Sequence, residues 1–259
     1  MNGTVIDKKL TIFRTLFMIC GSVGVYLVGY LLAISLLTLT PAVREWHTMY
    51  LNALAMATAA CATLFTVKKQ EIGIKIENRP ILQLAAVVVM AYSASVLFNI
   101  LLGSIPWEKI FEQQVTPDAM VYYGIPLWAR MLCYEVVAPV AEELLFRQVI
   151  YKGLRKISPI WLAVVISAVL FGLYHGNLVQ GIYAFIMGCF LALVYEWTGS
   201  FMAPVVFHMV ANHVSDITYE FESVSKVVYS PYGEAVSAIL LLSAFVFLFK
   251  NKNKCSKKH

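Results

Sequence analysis

The sequence predicts an all-α fold, a polytopic transmembrane bundle of about eight spans with both termini in the cytoplasm. Three observations predict it. The first is composition: 60% of the 259 residues are hydrophobic, 14% are charged, and the mean hydropathy is +0.73. Soluble domains run at about 45–50% apolar and about 25% charged, so a water-soluble globule of this length has no way to hide so much apolar surface. The second is the recurrence of apolar runs close to the ~20 residues that cross a ~30 Å hydrocarbon layer. The third is the placement of basic residues, which alternates from one inter-helix segment to the next.

Taken in order, the first span is Leu10–Thr38, closed by Thr40-Pro41. It is too long for a signal-peptide core and lacks a convincing cleavage site, so it is expected to remain in the protein. The second and third are His47–Val67 and Ile81–Gly103, and the fourth is Tyr122–Tyr151, which carries several polar residues. After the Ser158-Pro159 break come Ile160–His175, Gly181–Trp197, Phe201–Thr218 and a short eighth span, Ala235–Phe249. The whole chain, 1–259, reads as one integral membrane domain, with residues 1–120 as scaffold helices.

Charge placement supports this arrangement. On the cytoplasmic side fall Lys8, Lys9 and Arg14, then Lys68, Lys69, Lys75 and Arg79, then Lys152, Arg155 and Lys156, and the five lysines after Phe249. Together these are fifteen of the twenty basic residues. The outer segments hold only Arg44, Lys109 and Lys226, among the acids Glu108, Glu112, Asp118, Glu220, Glu222 and Glu234. The lysine-rich tail after Phe249 reads as a topology anchor, with contact to anionic lipid as the alternative. Because the basic residues are dispersed over loops, the net charge of +5 points to no nucleic-acid partner. Trp46, Trp107, Trp128, Trp161 and Trp197 fall near span ends, as in an interfacial belt. The cysteines at 20, 61, 133, 189 and 255 show no metal or redox spacing and read as buried small hydrophobes.

The two halves of the chain differ. The first three spans are nearly free of ionisable residues away from their ends, whereas spans four, five and seven carry Arg130, Glu135, Glu142, Glu143, Arg147, His175, His208, His213 and Asp216. Each ionisable group inside a membrane helix costs roughly 2.5–3.5 kcal/mol even on the lenient insertion scale, so such groups face each other or a wet cavity and mark function. In Ala138-Pro139-Val140-Ala141-Glu142-Glu143-Leu144-Leu145-Phe146-Arg147, Glu143 and Arg147 stand at i, i+4 with the acid first, the favourable orientation for an ion pair. Glu142 is turned by about 100°, has no such local partner, and is left to meet another helix. A carboxylate held out of water is a stronger proton acceptor than one in water. Pro139, one turn earlier, is expected to kink the helix and make room for water. Phe171 and His175 share a face of span five, and His208 and Asn212 share a face of span seven. A base, a second imidazole and a His/Asn donor pair are the parts that hydrolyse an amide, the donors stabilising the oxyanion.

Glu-Glu-x-x-x-Arg, Phe-x-x-x-His and His-x-x-x-Asn, in this order on three membrane helices, resemble the CAAX protease and bacteriocin-processing family (CPBP, or Abi), which includes the type II CAAX prenyl endopeptidases. The resemblance covers Tyr122 to Thr218, so that residues 122–218 look like a protease catalytic core. It implies an eight-helix intramembrane endopeptidase whose chamber opens toward the cytoplasm. By position, Glu142 would activate water, assisted by His175; His208 and Asn212 would form the oxyanion site; Glu143 and Arg147 would hold the architecture. The placing of His175 near the outer end of its span sits awkwardly with a cytoplasm-facing chamber.

Other readings of these residues are plainer. Glu143–Arg147 is also what a packing pair looks like, and Phe171 reads as packing around the site. Glu135 either lines the cavity or pairs with Arg130. His213 and Asp216 read as structural or interfacial on a different face from His208, and His47 as interfacial. Two His and two Glu are candidate zinc ligands, but there is no His-Glu-x-x-His and an Arg stands beside the acids, so a metal-free mechanism is expected, with zinc as the alternative. A non-catalytic immunity or regulatory protein on the same scaffold is the second functional reading, and a proton-coupled transporter the third, though transporters show paired repeats. The expected partners are the lipid bilayer and a membrane-associated peptide or protein. A short chain of this family is expected in a bacterial plasma membrane. Neither the substrate's identity nor the oligomeric state is written in these residues.

Overall fold

The computed structural model describes residues 2–41, 48–67, 80–107 and 125–252, and these are helical or in short turns, with no strand among them. Among the described residues there are nine helices: α1 Asn2–Leu39, α2 Thr48–Leu64, α3 Pro80–Gly103, α4 spanning 127–157, α5 Ile160–Tyr174, α6 Leu178–Thr198, α7 Met202–Glu220, α8 Glu222–Val228 and α9 Pro231–Lys250. Eight of them fall where the eight apolar runs lie. The addition is α8, a short helix with no buried residue, set between the last two. The expected positions of Arg44, Trp46, His47, the basic segment 68–79, the acids at 108, 112 and 118, the start of span four at Tyr122 and Cys255 lie outside the described residues.

Among the described residues four helices are long and apolar enough to cross a membrane: α1 over Asp7–Leu39, α3 over Ile81–Gly103, α6 and α9. α2 and α5 are apolar but shorter, at 17 and 15 residues. α4 and α7 carry most of the buried ionisable groups. Large apolar side chains point outward along α1, with Phe13 and Phe17 68% and 70% exposed. Such a surface is stable only against an apolar solvent, and the chain is a membrane protein.

Local chemistry explains where the helices stop. Ser158 is extended and Pro159 precedes the first turn of α5. Asn177 caps α6 by accepting from Gln180 N at 3.1 Å, and Gly199 ends that helix in a left-handed conformation at φ 65°. Ser230 caps α9, with Pro231 at its first position.

Contacts fix the helix directions. Tyr30 bonds to Asn52 and Gly29 abuts Ala59 and Ala62, so α1 and α2 run antiparallel. Along α4 and α7 the pairs Arg130–Asp216, Glu135–His213 and Glu143–His208 run in opposite order, again antiparallel. Arg147–Gly188 and Arg155–Glu196 make α4 parallel to α6. Ser95–Ala211 and Asn99–Ser215 make α3 parallel to α7. Gly172 lies against Gly181 and Gly188 against Ala168, an antiparallel α5–α6 seam of small residues. The long helices therefore alternate in direction. One end of the bundle gathers Lys8, Lys9, Arg14, Lys152, Arg155, Lys156, Lys250 and Lys252; the other holds Glu220, Glu222, Lys226 and Glu234.

Two expectations about single residues are corrected. Cys20 and Cys61 are exposed, on helix faces turned away from the bundle, while Cys133 is buried and Cys189 partly so. Their apolar surroundings in sequence were lipid-facing surface as much as protein core. Trp128 and Trp161 are exposed near helix starts as a belt requires, but Trp197 is buried against Phe245 and Phe249 of α9.

Candidate active site

The site is built on α4, which is one continuous helical run of changing pitch. Leu127–Arg130 is α-helical, Met131–Val137 is π-helical, Ala138–Glu143 returns to α, Leu144–Tyr151 is π-helical, and Lys152–Ile157 closes as α. π segments are rare and cluster at functional sites. Here the first ends at Val137, two residues before Pro139, whose ring and missing N–H disrupt an ordinary α-helical ladder. Glu142 and Glu143 sit in the short α-helical piece between the two widened segments.

The two glutamates differ as their spacing requires. Glu143 is fully buried, and Arg147 Nε stands 3.0 Å from its Oε2 as an ion pair rather than an in-line hydrogen bond. Arg147 also donates to Gly188 O at 3.3 Å and lies 4.7 Å over the Phe171 ring. Glu142 keeps 8% exposure and, among the described residues, no hydrogen bond. His208 of α7 joins them, with Nδ1 2.9 Å from Glu143 Oε1 and Nε2 3.8 Å from Glu142 Oε2. With Glu143 ionised against Arg147 it can only accept, so Nδ1 carries the hydrogen and Nε2 is the end presented to Glu142. The distance to Glu142 is beyond hydrogen-bonding range, which leaves that carboxylate its lone pairs.

His175 is oriented in the same way. Its Nδ1 donates to Phe171 O at 2.8 Å, because a carbonyl can only accept, and so Nε2 is the outward nitrogen. His175 directly follows the last residue of α5, and Gly176, at φ +66°, supplies the left-handed step that turns the chain into α6. α5 has only 15 residues, about 22 Å of helix, so its end lies within the bundle, with its ring beside the same aromatic as His208. Phe171 meets both imidazoles edge-on, at 4.8 Å from His175 and 5.7 Å from His208. The outer-end position that looked awkward in the sequence is thus a consequence of a short helix.

Asn212 is less simple than its spacing suggests. Its Nδ2 donates to Tyr134 O, in the first π segment, at 2.9 Å. One amide hydrogen is committed to holding α7 on α4, and a second remains. Further along the same seam, Arg130 pairs with Asp216 at 3.1 Å and also with Glu220, while Glu135 accepts from His213 Nδ1 at 2.7 Å. Asp216 and His213 therefore face α4 as His208 does: eight residues make about 2.2 turns and return Asp216 to the same side. Glu135 is joined to α7 through His213.

Sequence reasoning missed two tyrosines. Tyr26 of α1 and Tyr174 of α5 place their hydroxyls 3.4 Å apart, and both lie close enough to Glu142 to interact with its charge. Tyr174 was visible beside His175. Tyr26 had no signal, because nothing local marks which face of an apolar helix turns toward a carboxylate.

The donor set fits zinc poorly. One oxygen of Glu143 is engaged by Arg147 and the other by His208. Among the described residues no group of three or more His, Cys, Asp or Glu side chains is arranged to hold a metal ion, whereas a catalytic zinc takes three protein ligands.

Comparison with known proteins bears on this geometry. Residues 124–214 match the family model described as type II CAAX prenyl endopeptidase Rce1-like. The chain is similar to the putative membrane peptidase YdiL of Bacillus subtilis (strain 168), at 29% identity over 92 residues, covering 36% of this chain and 37% of that protein. It is also similar to the membrane-embedded CAAX protease MroQ of Staphylococcus aureus (strain USA300), at 25% identity over 134 residues, 48% of this chain and 53% of that one. The matches thus span about a third to a half of these relatives' lengths. No solved structure matches the chain. The paired glutamates, the arginine and the two histidines all lie inside the matched stretch, and over residues 124–214 the chain is similar to the type II CAAX prenyl endopeptidase Rce1-like family.

Proposed function

We propose that this protein is an intramembrane endopeptidase that hydrolyses a peptide bond in a membrane-associated peptide or protein, with Glu142 activating the water. The observation that carries this reading is the chain Arg147–Glu143–His208–Glu142 across the α4–α7 seam, fully buried at the Arg147–Glu143 end and reaching accessible space at His208 and Glu142. Glu142 accepts the proton of the attacking water, and the outward Nε2 of His175 is a second acceptor beside it. When His208 is protonated, its Nε2–H and the second amide hydrogen of Asn212 are the donors for the oxyanion, while Glu143 on the far side of the ring offsets the charge. Removing one such donor typically costs about 10²–10³ in rate. Phe171 sets the angle of both imidazoles. The mechanism runs without a metal.

The alternating helices and the gathering of basic residues at one end support eight spans with that end in the cytoplasm, in a bacterial plasma membrane. The test is cleavage of a fluorogenic peptide panel by the purified protein in detergent, comparing wild type with Glu142→Ala, each with and without a strong zinc chelator. Cleavage that disappears in a folded Glu142→Ala and persists in chelator is the expected result. Cleavage that survives Glu142→Ala refutes the assignment of the base, and loss in chelator alone refutes the metal-free mechanism.

A further inference from the structure

α3 belongs to the half of the chain read as scaffold, yet Ser95 and Asn99, one turn apart on it, carry a polar network onto α7. Ser95 is fully buried. The network meets α7 at Ala211, Ser215 and Thr218, which return to one face at steps of four and three. The neighbouring face sets His208 and Asn212 against α4. Ser95 Oγ gives its hydrogen to Ala211 O at 3.0 Å, and so accepts from Tyr183 OH of α6 at 3.1 Å. Ser215 Oγ donates to the same carbonyl at 3.2 Å and accepts from Asn99 Nδ2 at 3.0 Å. Asn99 Nδ2 also stands 3.3 Å from the hydroxyl of Tyr229, in the α8–α9 turn, which lies 2.8 Å from Thr218 Oγ1. Ala211 O thus receives two hydroxyls, one of them from another helix.

Ala211 directly precedes Asn212. Successive residues of α7 are therefore held from two sides, Ala211 O by Ser95 of α3 and the Asn212 amide by Tyr134 O of α4. Anchors about 100° apart fix the rotation of a helix about its own axis. A turn of about 10° carries a side-chain atom at a radius of ~5–6 Å through about 1 Å, and a misplacement of that size costs about 10²-fold in rate. We propose that Ser95 is a positioning residue for the reaction: by holding Ala211 O it fixes the rotation of α7 that aims the Asn212 amide. The inference rests on the reading of Asn212 as an oxyanion donor. Ser215 acts on the same carbonyl, and Asn99 and Tyr183 hold the two serines in place.

The experiment pairs two readouts on the purified full chain in detergent. The first needs no substrate: hydrogen exchange of the Asn212 side-chain amide, followed by NMR in protein labelled with ¹⁵N-asparagine and assigned by its absence in Asn212→Ala. Ser95→Ala and Ser215→Ala should each speed that exchange about 2–10-fold, the equilibrium worth of one neutral hydrogen bond. Ser243→Ala, whose hydroxyl bonds only within α9, should leave it unchanged. The second readout is turnover of the fluorogenic peptide that the wild type cleaves. Ser95→Ala should lower kcat about 10–100-fold with KM nearly unchanged, and should have no further effect on kcat in the Asn212→Ala background. Unchanged exchange in both serine variants overturns the proposal, as does an equal loss of kcat with and without Asn212, which is what a merely structural serine would give. Cleavage that survives Glu142→Ala sinks the proposed chemistry instead, and the exchange measurement still decides whether Ser95 aims Asn212. Should Ser95→Ala fail to fold, Ser215→Ala carries the same test.

Discussion

Replacing Arg147 by Met isolates the energetics of the buried pair. Arg147 is 1% exposed, with Glu143 at 3.0 Å, Gly188 O at 3.3 Å and the Phe171 ring at 4.7 Å. Without the guanidinium, Glu143 is a carboxylate with no accessible surface and only His208 beside it. Breaking a buried pair from one side costs about 3–5 kcal/mol; the lost cation–π contact, worth about 0.5–2 kcal/mol, is partly offset by the thioether packing against Phe171. At about 2–4 °C per kcal/mol for a chain of this size, Arg147→Met should melt roughly 6–20 °C below wild type. Glu143→Gln should also destabilise, leaving the arginine buried and unmatched. The double variant Glu143→Gln/Arg147→Met removes both charges at similar volume, and should cost about 1–3 kcal/mol less than the two single effects together. Thermal unfolding in detergent, tracked by thiol-dye uptake at the buried Cys133, measures all four corners of the cycle. Strictly additive losses would refute the claim that Glu143 and Arg147 act as one unit.

Other outcomes follow from the same geometry. Glu142→Gln should lose at least about a hundredfold in cleavage rate while its melting temperature stays within a few degrees of wild type, since Glu142 makes no hydrogen bond among the described residues; equal losses of rate and stability would make it a structural residue. Gly172→Ala should destabilise by about 1–3 kcal/mol, because a Cβ there would meet Gly181 O at 2.7 Å, whereas Gly24→Ala, with nothing within 4 Å, should be neutral or slightly stabilising in the same melt. Asn212→Ala should cost about 1–3 kcal/mol by leaving Tyr134 O without its donor; an unchanged melting temperature would show that this bond does not clamp α7 to α4.

What could be read from the chain alone was local in origin. The Glu143–Arg147 pair and the different fate of Glu142 follow from a rotation of about 100° per residue, and the structure bears both out. The eight apolar runs reappear as eight helices because membrane length and hydropathy are properties of short segments. Readings that depended on which side of a helix faces protein fared less well. Cys20 and Cys61 sit in apolar sequence yet point outward, Trp197 turned inward onto α9, and His213 and Asp216 joined His208 against α4. A helix apolar on every side carries no periodicity to mark its buried stripe, so these faces were invisible. The π segments of α4 had no spacing signal either, although Pro139 marked where the ladder had to change.

By itself the sequence determined that this is a helical membrane protein, that its ionisable residues gather in the runs that form α4, α5 and α7, and which glutamate is tied to Arg147. Only the tertiary structure decided that His208 stands between both glutamates, that Tyr26 of α1 meets Tyr174 of α5, and that Asn212 spends one hydrogen on Tyr134 O. The physical reason is one of range: hydrophobicity and helical spacing act within a few residues. The register of α4 against α7 is instead set by helix packing between segments 65 or more residues apart.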